Sequence, residues 1–362
     1  MSANEVDPGA PRRTPRFEAP DWWIYRGTGR PIHDIDLAEI LPDPPPWRTF
    51  HGGPVQENAA PPEDDGEAQR RLGSAGYLTE QHVDPHELDM VNAALYLRRP
   101  LLVTGNPGSG KSALAYRIAQ ELRLGAVLRW GITSQTELRS GLYSYDAIGR
   151  VQAAATSSVG TTAGPHDEPP VGDFVRLGPL GTAFLPARLP RVLLIDEMDK
   201  SEADLPNDLL SIFEEGEFTI PELARTWQRA PEVTVHAADP NRMVTVVGGR
   251  VACHAFPVVV ITSNGEREFP PAFLRRCLQL DIPDPNVEKL AAMVANHLRD
   301  SHGNDHDHLI REFVAKRTEY GSLPTDRLLE AVYLATSGAY QADDVAWPRL
   351  VDSLWRRLST VN

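Results

Sequence analysis

Short apolar runs and helical repeats of apolar residues alternate along the middle of the chain. Apolar residues recur at helical spacing from His86 to Leu97, which predicts a helix. The run Leu101 to Thr104 follows and predicts a short buried strand, and beyond a glycine-rich turn the helical spacing returns from Ser112 to Leu122. Strand, loop and helix in this order predict the start of a parallel α/β sheet.

Four more apolar runs of the buried-strand type follow the first one. They are Ala126 to Arg129, Arg191 to Ile195, Val258 to Thr262 and Cys277 to Ile282. Together the runs predict a doubly wound α/β core, with a five-stranded parallel sheet flanked by helices. Residues 231–255 alternate between apolar and polar positions and predict a hairpin ahead of the fourth strand, whereas the small, polar residues 156–172 predict a mobile loop.

The two ends of the chain have different patterns. From residue 286 onward the spacing is helical in about four segments, around Leu290, Ile310, Leu328 and Leu350, which predicts a small all-helical lid. Residues 1 to about 75 are rich in proline and acid and cannot bury a core of their own. We therefore divide the chain into an extended, largely irregular Pro-rich segment (1–80), an α/β domain (81–283) and a C-terminal helical lid (284–362).

Aromatic residues interrupt the Pro-rich segment. Trp22, Trp23 and Tyr25 form an island, and Trp47 follows three consecutive prolines. Large aromatic side chains are costly to leave in water, so the island is expected to dock either on the body of the same chain or on a partner. Recruitment of a partner is the hypothesis that follows from a segment too polar to fold by itself.

Composition narrows the function. A chain of 362 residues has room for two packed domains and a tail. Its net charge of −14 opposes nucleic acid as the main partner, because affinity for phosphate backbones needs clustered Lys and Arg, and a protein partner is favoured instead. The sequence contains neither the apolar run of a signal peptide nor a membrane span, and its two cysteines, Cys253 and Cys277, have no paired spacing. We expect a cytoplasmic protein without membrane association, whose cysteines are reduced and buried.

The glycine-rich turn matches the phosphate-binding pattern G-x-x-x-x-G-K-[ST] at every position. Its residues are Gly105, Asn106, Pro107, Gly108, Ser109, Gly110, Lys111 and Ser112, and Ala113 follows them into the helix. The glycines let successive backbone N–H groups point at phosphates, at the positive end of the following helix. These residues predict an ATP site, in which Lys111 reaches the β- and γ-phosphates and the Ser112 hydroxyl binds Mg²⁺.

Two adjacent acids, Asp196 and Glu197, end the third predicted strand. A buried strand seldom ends in two carboxylates without a reason, because an unpaired buried carboxylate is expensive. After a phosphate-binding loop the reason is nucleotide chemistry. Asp196 is expected to hold the metal with Ser112, and Glu197 to orient and polarise the attacking water, which indicates a hydrolase.

With these motifs in place, further segments resemble AAA+ ATPases, and among them the MoxR branch. Residues 261–264, ending in Asn264, resemble sensor 1, whose asparagine places the lytic water. Residues 269–277 (FPPAFLRRC) resemble the segment that carries the arginine finger, a residue that reaches a neighbour's ATP. Arg276 fits the family register best, and Arg275 is the reserve. Residues 174–180 (FVRLGPL) and the segment 204–220 resemble two further parts of the same branch, so that the likeness covers roughly residues 82–360.

The resemblance implies ATP hydrolysis on Mg²⁺ in a homo-oligomeric ring, of six subunits, that remodels a client or adaptor protein. Many MoxR relatives work with a von Willebrand A-domain protein, and such a domain would lie on another chain, since the D-x-S-x-S motif is missing here. The chain departs from the family at Met198 and Asp199, near which relatives carry Asn. The family's sensor-2 arginine follows Ser-Pro, whereas here Arg327 follows Pro-Thr-Asp, so its role is expected only if the register shifts.

Two other functions remain open at this stage. One is a nucleotide-gated scaffold or switch in a signalling or defence complex, and the other is a chelatase-type or nucleic-acid motor. Measurable ATP turnover separates the scaffold from the remodelling ATPase, and stimulation by DNA would identify the nucleic-acid motor. A group of histidines at 297, 302, 306 and 308 invites a metal site, but the spacing of known ligand sets is absent and we interpret the stretch as a solvated connection.

Overall fold

A computed structural model describes residues 20–33, 36–58, 66–73, 84–158, 169–297, 307–320, 323–337 and 347–355. Its strands are β1 (Leu101–Thr104), β2 (Leu128–Gly131), β3 (Tyr143–Tyr145), β4 (Val175–Leu177), β5 (Val192–Asp196), β6 (Glu217–Thr219), β7 (Glu232–His236), β8 (Met243–Val247), β9 (Arg250–Ala252), β10 (Val258–Thr262) and β11 (Leu278–Asp281). Its α-helices are α1 (Leu37–Ile40), α2 (Gly66–Leu72), α3 (Pro85–Leu97), α4 (Lys111–Glu121), α5 (Leu138–Leu142), α6 (Ala147–Ser158), α7 (Pro179–Ala183), α8 (Leu205–Glu215), α9 (Pro221–Ala224), α10 (Pro271–Arg276), α11 (Val287–His297), α12 (Asp307–Tyr320), α13 (Thr325–Thr336) and α14 (Trp347–Leu354). Short 3₁₀ turns lie at Pro46–Arg48, Val171–Phe174 and Met198–Lys200.

The centre of the fold is a five-stranded parallel sheet in the order β11-β1-β10-β5-β2. Every residue of β5 and of β10 is buried, as expected of strands that are covered on both faces. The five predicted strands, the parallel sheet and the flanking helices are therefore confirmed. The second strand begins at Leu128 and not at the predicted Ala126, whose carbonyl oxygen accepts a hydrogen bond from the Arg191 guanidinium.

A second sheet of six strands, in the order β3-β4-β7-β8-β9-β6, packs beside the first. Its longest pair is the antiparallel hairpin of β7 and β8, which confirms the hairpin predicted within residues 231–255. The other four strands have three residues each, too few for alternation to be recognised in the sequence. The two sheets share one hydrophobic core through side chains such as Ile195 and Val235.

The predicted loop at residues 156–172 is wrong at both ends. Helix α6 continues through Ser158, and a 3₁₀ turn occupies Val171–Phe174. The small residues Ala153, Ala154 and Ala155 favour helix continuation, which outweighs the polar composition that follows. Residues 159–168 lie outside the described part of the chain. The four helical segments predicted after residue 286 are confirmed as α11 to α14, which enclose a separate apolar core around Leu328.

The Pro-rich segment docks on the body of its own chain. We call residues 20–33 and 36–58 the N-terminal strap. Trp23 and Tyr25 are buried against α3 and α4, where the Asn92 side chain accepts hydrogen bonds from the backbone N–H groups of Ile24 (2.8 Å) and Tyr25 (2.9 Å). The Glu121 carboxylate likewise accepts from backbone N–H groups of the strap. For this part of the aromatic island, docking on the same chain replaces the hypothesis of partner recruitment.

The remaining expectations concern cysteines and membranes. Cys253 and Cys277 are both free and buried, as predicted, and burial raises the pKa of each thiol to about 12. No helix among the described residues combines the length and the apolar character that a membrane crossing requires. Of the four histidines that invited a metal site, His297 and His308 lie in the described part of the chain, and residues 302 and 306 lie outside it. Neither His297 nor His308 belongs to a group of three or more metal-ligating side chains among the described residues.

Candidate nucleotide-binding site

The phosphate-binding loop lies between β1 and α4, at the carboxyl edge of the parallel sheet. Three of its glycines have positive φ angles: 143° at Gly105, 79° at Gly108 and 95° at Gly110. A Cβ atom at Gly105 would lie 2.4 Å from the Ile282 carbonyl oxygen, and one at Gly108 would lie 2.5 Å from the backbone nitrogen of Thr325. Glycine is required at both positions for backbone conformation and for space. The glycines of the motif thus have the structural role that the sequence predicted.

Lys111 is the first residue of α4 and folds back over the loop. Its Nζ donates hydrogen bonds to the carbonyl oxygens of Gly105 (2.7 Å) and Asn106 (2.8 Å). Burial lowers the pKa of the ammonium group, and the charges of Asp199 and Asp196 oppose that shift. The Ser109 hydroxyl is buried and has no hydrogen-bond partner within the described residues. A loop with an inward lysine and an orphaned hydroxyl fits the oxygen-rich phosphate chain of ATP.

Asp196 joins three elements at the end of β5. Its Oδ1 accepts hydrogen bonds from the hydroxyls of Ser112 (2.7 Å) and Thr262 (2.8 Å), and its Oδ2 accepts two from the Arg129 guanidinium (3.1 and 2.8 Å). Burial alone would raise the pKa of Asp196, but these donors and the charge of Arg129 outweigh it and lower the pKa. The carboxylate is therefore ionised at neutral pH and faces the hydroxyl of the phosphate-binding loop.

Glu197 follows in the left-handed region, with φ 63° and ψ 48°. This conformation is uncommon for a residue with a side chain and turns the carboxylate out of the strand direction. Its backbone N–H donates to the Thr262 hydroxyl (2.9 Å), which fixes the turn, and its carboxylate accepts from Lys200 Nζ (2.8 Å). The side chain is about half exposed and lines the same cavity as Asn264.

Asp199 holds the sensor-1 segment beside this turn. Its Oδ2 accepts hydrogen bonds from the backbone N–H groups of Asn264 (2.8 Å) and Glu266 (3.1 Å), although the residue is almost completely buried. In the sequence Asp199 was only a departure from the family pattern. In the structure it links the turn after β5 to the backbone of Asn264, which lines the cavity.

A cavity of about 620 Å³ connects these groups to the lid. Of the residues predicted for the site, Pro107 to Ala113, Asp196, Glu197 and Asn264 line it, while Gly105 and Asn106 form the start of the loop. The residues of the lining that lie outside the motifs are Arg70, Arg71, Leu72, Arg117, Arg129, Thr262, Lys289, Met293, Asn296, His297, Pro324, Thr325, Asp326 and Leu329. The Thr325 hydroxyl donates to the Gly108 carbonyl oxygen (2.7 Å), and Asn106 Nδ2 donates to Asp284 (3.1 Å), so that the lid contacts the loop directly.

Three predicted arginines lie elsewhere. Arg275 and Arg276 are at the C-terminal end of α10, where Arg276 Nε donates to a Glu214 carboxylate oxygen (2.6 Å). Arg327 forms an ion pair with Glu330 (3.0 Å) on the outer side of α13 and does not line the cavity. The residues of α13 that do so are Thr325, Asp326 and Leu329, which lie on either side of Arg327 in the sequence. The sequence offered no signal for Arg129 or Thr325, because only the fold brings them to the phosphate-binding loop.

Comparison with known proteins agrees with this geometry. Residues 100–277 match the family model of the AAA domain (dynein-related subfamily). No curated protein matched the chain. Two solved structures of NtrX from Brucella abortus were found. The one in complex with ATP has 13% identity and a TM-score of 0.35 and covers 71% of this chain and 49% of its own. The one in complex with ADP has 11% identity and a TM-score of 0.35 and covers 77% and 56%. The chain thus spans about half the length of these proteins, and likeness at this level adds nothing to the assignment.

The loop, the acidic pair and the matched domain together define the class of protein. It is an AAA+ P-loop ATPase whose AAA domain occupies residues 100–277 and whose helical lid follows. The cavity between its phosphate-binding loop and its lid is the candidate ATP site.

Proposed function

We propose that this ATPase works as a ring, resembles the MoxR branch in its action, and uses ATP turnover to remodel a partner protein. The position of Arg276 carries the proposal. The residue ends α10 outside its own nucleotide cavity, with a side chain that is 45% exposed. An arginine that serves its own subunit's ATP would line that subunit's cavity, whereas one that serves a neighbour's ATP must face outward.

The arginines that do line the cavity support the same interpretation, because each is paired with an acid of the same chain. Arg129 pairs with Asp196 (2.8 Å) and Arg117 with Glu87 (2.9 Å). Arg70 and Arg71 on α2 both pair with Glu67. Charge that develops on the γ-phosphate would be met by Lys111 from within the subunit and, from the adjacent one, by the terminal nitrogens of Arg276, whose Nε binds Glu214.

The roles of the remaining residues follow from their geometry. Glu197 is a solvent-accessible carboxylate at the phosphate end of the cavity and would accept a proton from the attacking water. Asn264, held through its backbone by Asp199, would position that water. Lys111 would leave the carbonyl oxygens of the loop and bind phosphate oxygens, a change that replaces two neutral acceptors of its ammonium group by negatively charged ones.

Mg²⁺ fits the donor set of the site. The Ser112 hydroxyl and the Asp196 carboxylate are 2.7 Å apart and face the loop, and Mg²⁺ in nucleotide sites takes one or two such protein oxygens with phosphate oxygens and water. When bound, the ion would neutralise charge on the phosphates. Arg129 would have to release or share Asp196 for this purpose.

The contact between lid and loop gives the site a mechanical connection. Thr325 binds the loop carbonyl at Gly108, so a change at the phosphates would reach α13 directly. The net charge of −14 favours a protein as the client, and a von Willebrand A-domain protein on another chain is one candidate for it. We also propose a ring of six subunits and a cytoplasmic location, on the basis of the resemblance to the MoxR branch.

A nucleotide-gated switch is the second candidate, and one observation favours it. The Arg129 guanidinium donates hydrogen bonds through both Nε and Nη2 to Asp196, the expected metal ligand. If these two hydrogen bonds persisted with nucleotide bound, they would slow turnover. Steady-state ATPase activity decides between the two. Multiple turnovers with Mg²⁺ support the remodelling ATPase, whereas stoichiometric binding without turnover supports the switch.

The test of the ring uses two inactive variants. Arg276→Ala should bind ATP and hydrolyse it poorly, with a loss of up to ~10³-fold or more, and Lys111→Ala should be inactive for lack of bound nucleotide. In rings assembled from equal amounts, about a quarter of the interfaces join an intact loop to an intact finger, and activity should return in part. If mixed rings form and stay inactive, Arg276 does not act on a neighbour, and Arg275 would be tested in the same way.

A further inference from the structure

The N-terminal strap contains a buried arginine that contacts the residues around Arg276. Arg48 ends the 3₁₀ turn that follows Pro44 and Pro45, and it is 9% exposed. Its guanidinium carbon lies 4.4 Å from the ring centroid of Phe256 and 5.2 Å from that of Phe50. A cation that packs against two stacked aromatic rings is held in place. The strap thus presents a rigid guanidinium group to the nucleotide-binding domain.

The guanidinium of Arg48 joins the C-terminal ends of two helices. Its Nη1 donates to the carbonyl oxygen of Phe213 in the last turn of α8 (2.7 Å). Its Nε and Nη2 donate to the carbonyl oxygen of Arg98, the C-cap of α3, at 3.1 and 2.8 Å. Helix C-termini carry partial negative charge and unsatisfied carbonyl groups, so a buried cation between them is well matched.

The residues that follow these two carbonyl groups hold Arg276. Glu214, next to Phe213, accepts the hydrogen bond of Arg276 Nε (2.6 Å). Arg99, next to Arg98, donates through Nε to the Arg276 carbonyl oxygen (3.1 Å) and through Nη2 to that of Arg275. The side chain and the backbone of Arg276 are therefore each held by a residue whose neighbour is bound by Arg48.

These groups also surround one space. A cavity of about 270 Å³ is lined by Arg48, Arg99, Glu214 and Arg276, together with Trp47, which is 79% exposed beside it. Burial lowers the pKa of the Arg48 guanidinium, and the nearby Glu214 carboxylate opposes that shift. The anchor at Nε leaves the two terminal nitrogens of Arg276 as the part of the fork that can reach outward.

We propose that Arg48 is a positioning residue for the arginine finger, which it orients through Glu214 and Arg99. The inference rests on the proposed role of Arg276 on a neighbour's ATP. It assigns the strap, which lies outside the matched AAA domain, a share in every active site of the ring. Displacement of a catalytic group by about 1 Å can lower the rate on the order of 10²-fold. Loss of the contacts by which Arg48 orients Arg276 is therefore expected to have a measurable effect on the rate.

The experiment places the substitution in one chosen subunit type of the mixed ring. A subunit with Lys111→Ala can only donate a finger, and a subunit with Arg276→Ala can only offer a loop. Arg48→Lys keeps the charge but not the fork that binds two carbonyl groups. In the finger-donating subunit we expect it to lower kcat by about 10- to 100-fold, with an unchanged KM for ATP because the loops are intact. In the loop-donating subunit, whose finger is already absent, it should have no such effect.

The same rings provide the controls. Asn58→Ala loosens the strap at another point, where the side chain binds the backbone of Leu189, and should act equally little in both placements. Glu214→Ala removes the half-exposed last link and should reproduce the asymmetry even if Arg48→Lys proves hard to fold. Ring size and composition are measured by native mass spectrometry in every mixture.

The outcomes separate the two proposals. Suppose that the mixture without Arg48→Lys recovers activity, and that Arg48→Lys and Glu214→Ala each have an equal effect or no effect in both placements. This result overturns the positioning role of Arg48 and leaves the role of Arg276 as a finger intact. Assembled rings that never recover activity overturn the finger itself, and the positioning role with it. Loss of kcat only when the substitution lies in the finger-donating subunit supports both.

Discussion

Asn92 is the residue on which docking of the N-terminal strap most depends. It is completely buried on α3, and its side-chain oxygen accepts from the backbone N–H groups of Ile24 and Tyr25 while its Nδ2 donates to the Tyr25 carbonyl oxygen (2.8 Å). Asn92→Ala removes all three hydrogen bonds to the strap at once, together with the one that Nδ2 donates to the Leu88 carbonyl oxygen within α3. The strap must then either keep three buried polar groups unpaired or leave the surface.

The size of the effect follows from these contacts. A buried polar group that loses its partner costs about 1 to 3 kcal/mol. Because water can enter the space left by the shortened side chain, we take the low end for each of the three groups, which gives about 3 kcal/mol. Release of the strap is no cheaper, since Trp23, Ile24 and Tyr25 are all buried and each apolar side chain contributes about 1.5 to 3 kcal/mol.

The measurement combines urea unfolding with limited trypsin digestion. We expect Asn92→Ala to lower the free energy of unfolding by about 3 kcal/mol and to make the strap sensitive to cleavage after Arg26, which precedes Gly27. Asn207→Ala is the matched control, because Asn207 is a solvent-exposed asparagine on α8 and reports the helix-propensity gain alone. A loss below about 1 kcal/mol with the strap still protected would refute the assignment of Asn92.

Two further predictions concern the nucleotide site and acid stability. Lys111→Ala should lose tight ATP binding while Glu197→Gln keeps binding and stops turnover, because only the first removes charge from the phosphates; nucleotide titration and phosphate release measure both, and equal affinities would contradict the roles. Burial alone would raise the pKa of Asp239, but the hydrogen bonds and charges of Arg191 and Arg242 outweigh it and lower the pKa below 3.8. A carboxyl group with a lowered pKa stabilises the fold at every pH above its pKa in the unfolded chain, and this contribution is lost as the pH falls through its pKa in the folded protein. Asp239→Asn should therefore be less stable than the parent at pH 7 and approach the stability of the parent on acidification. Urea unfolding measured as a function of pH checks this, and a difference in stability that stays constant with pH would argue against the ion pair.

The sequence predicted what is local and missed what depends on distant contacts. β1 and β10 agree with prediction to the residue, because a continuous apolar run between polar ends is itself the strand. The phosphate-binding loop could be predicted for the same reason, as its geometry is contained in eight consecutive residues. Asp199 was only a departure from the family pattern in the sequence, because the backbone N–H groups that it binds come from the segment that follows the neighbouring strand β10.

The docking of the N-terminal strap could not be predicted from its sequence. Its prolines and acids correctly indicated a segment without a core of its own, but they carry no information about the surface that receives it. Arg48 was one basic residue in a proline-rich stretch, and its partner Phe213 is 165 positions away. Burial of such a residue depends on the complete tertiary structure, which no pattern within the strap itself could reveal.

The long separation in sequence between the strap and its partners determines when the strap can dock during synthesis. Arg48 cannot find Phe213, and Gly52 N–H cannot donate to the Cys253 carbonyl oxygen, until the ribosome has added those distant residues. At the synthesis rate of about 5–20 residues per second, the interval lasts roughly ten seconds or more. Throughout it the ring of Phe50 lacks Phe256, on which it stacks in the finished fold. The growing chain therefore passes through a stage in which this part of the strap is open to chaperones and to other nascent chains.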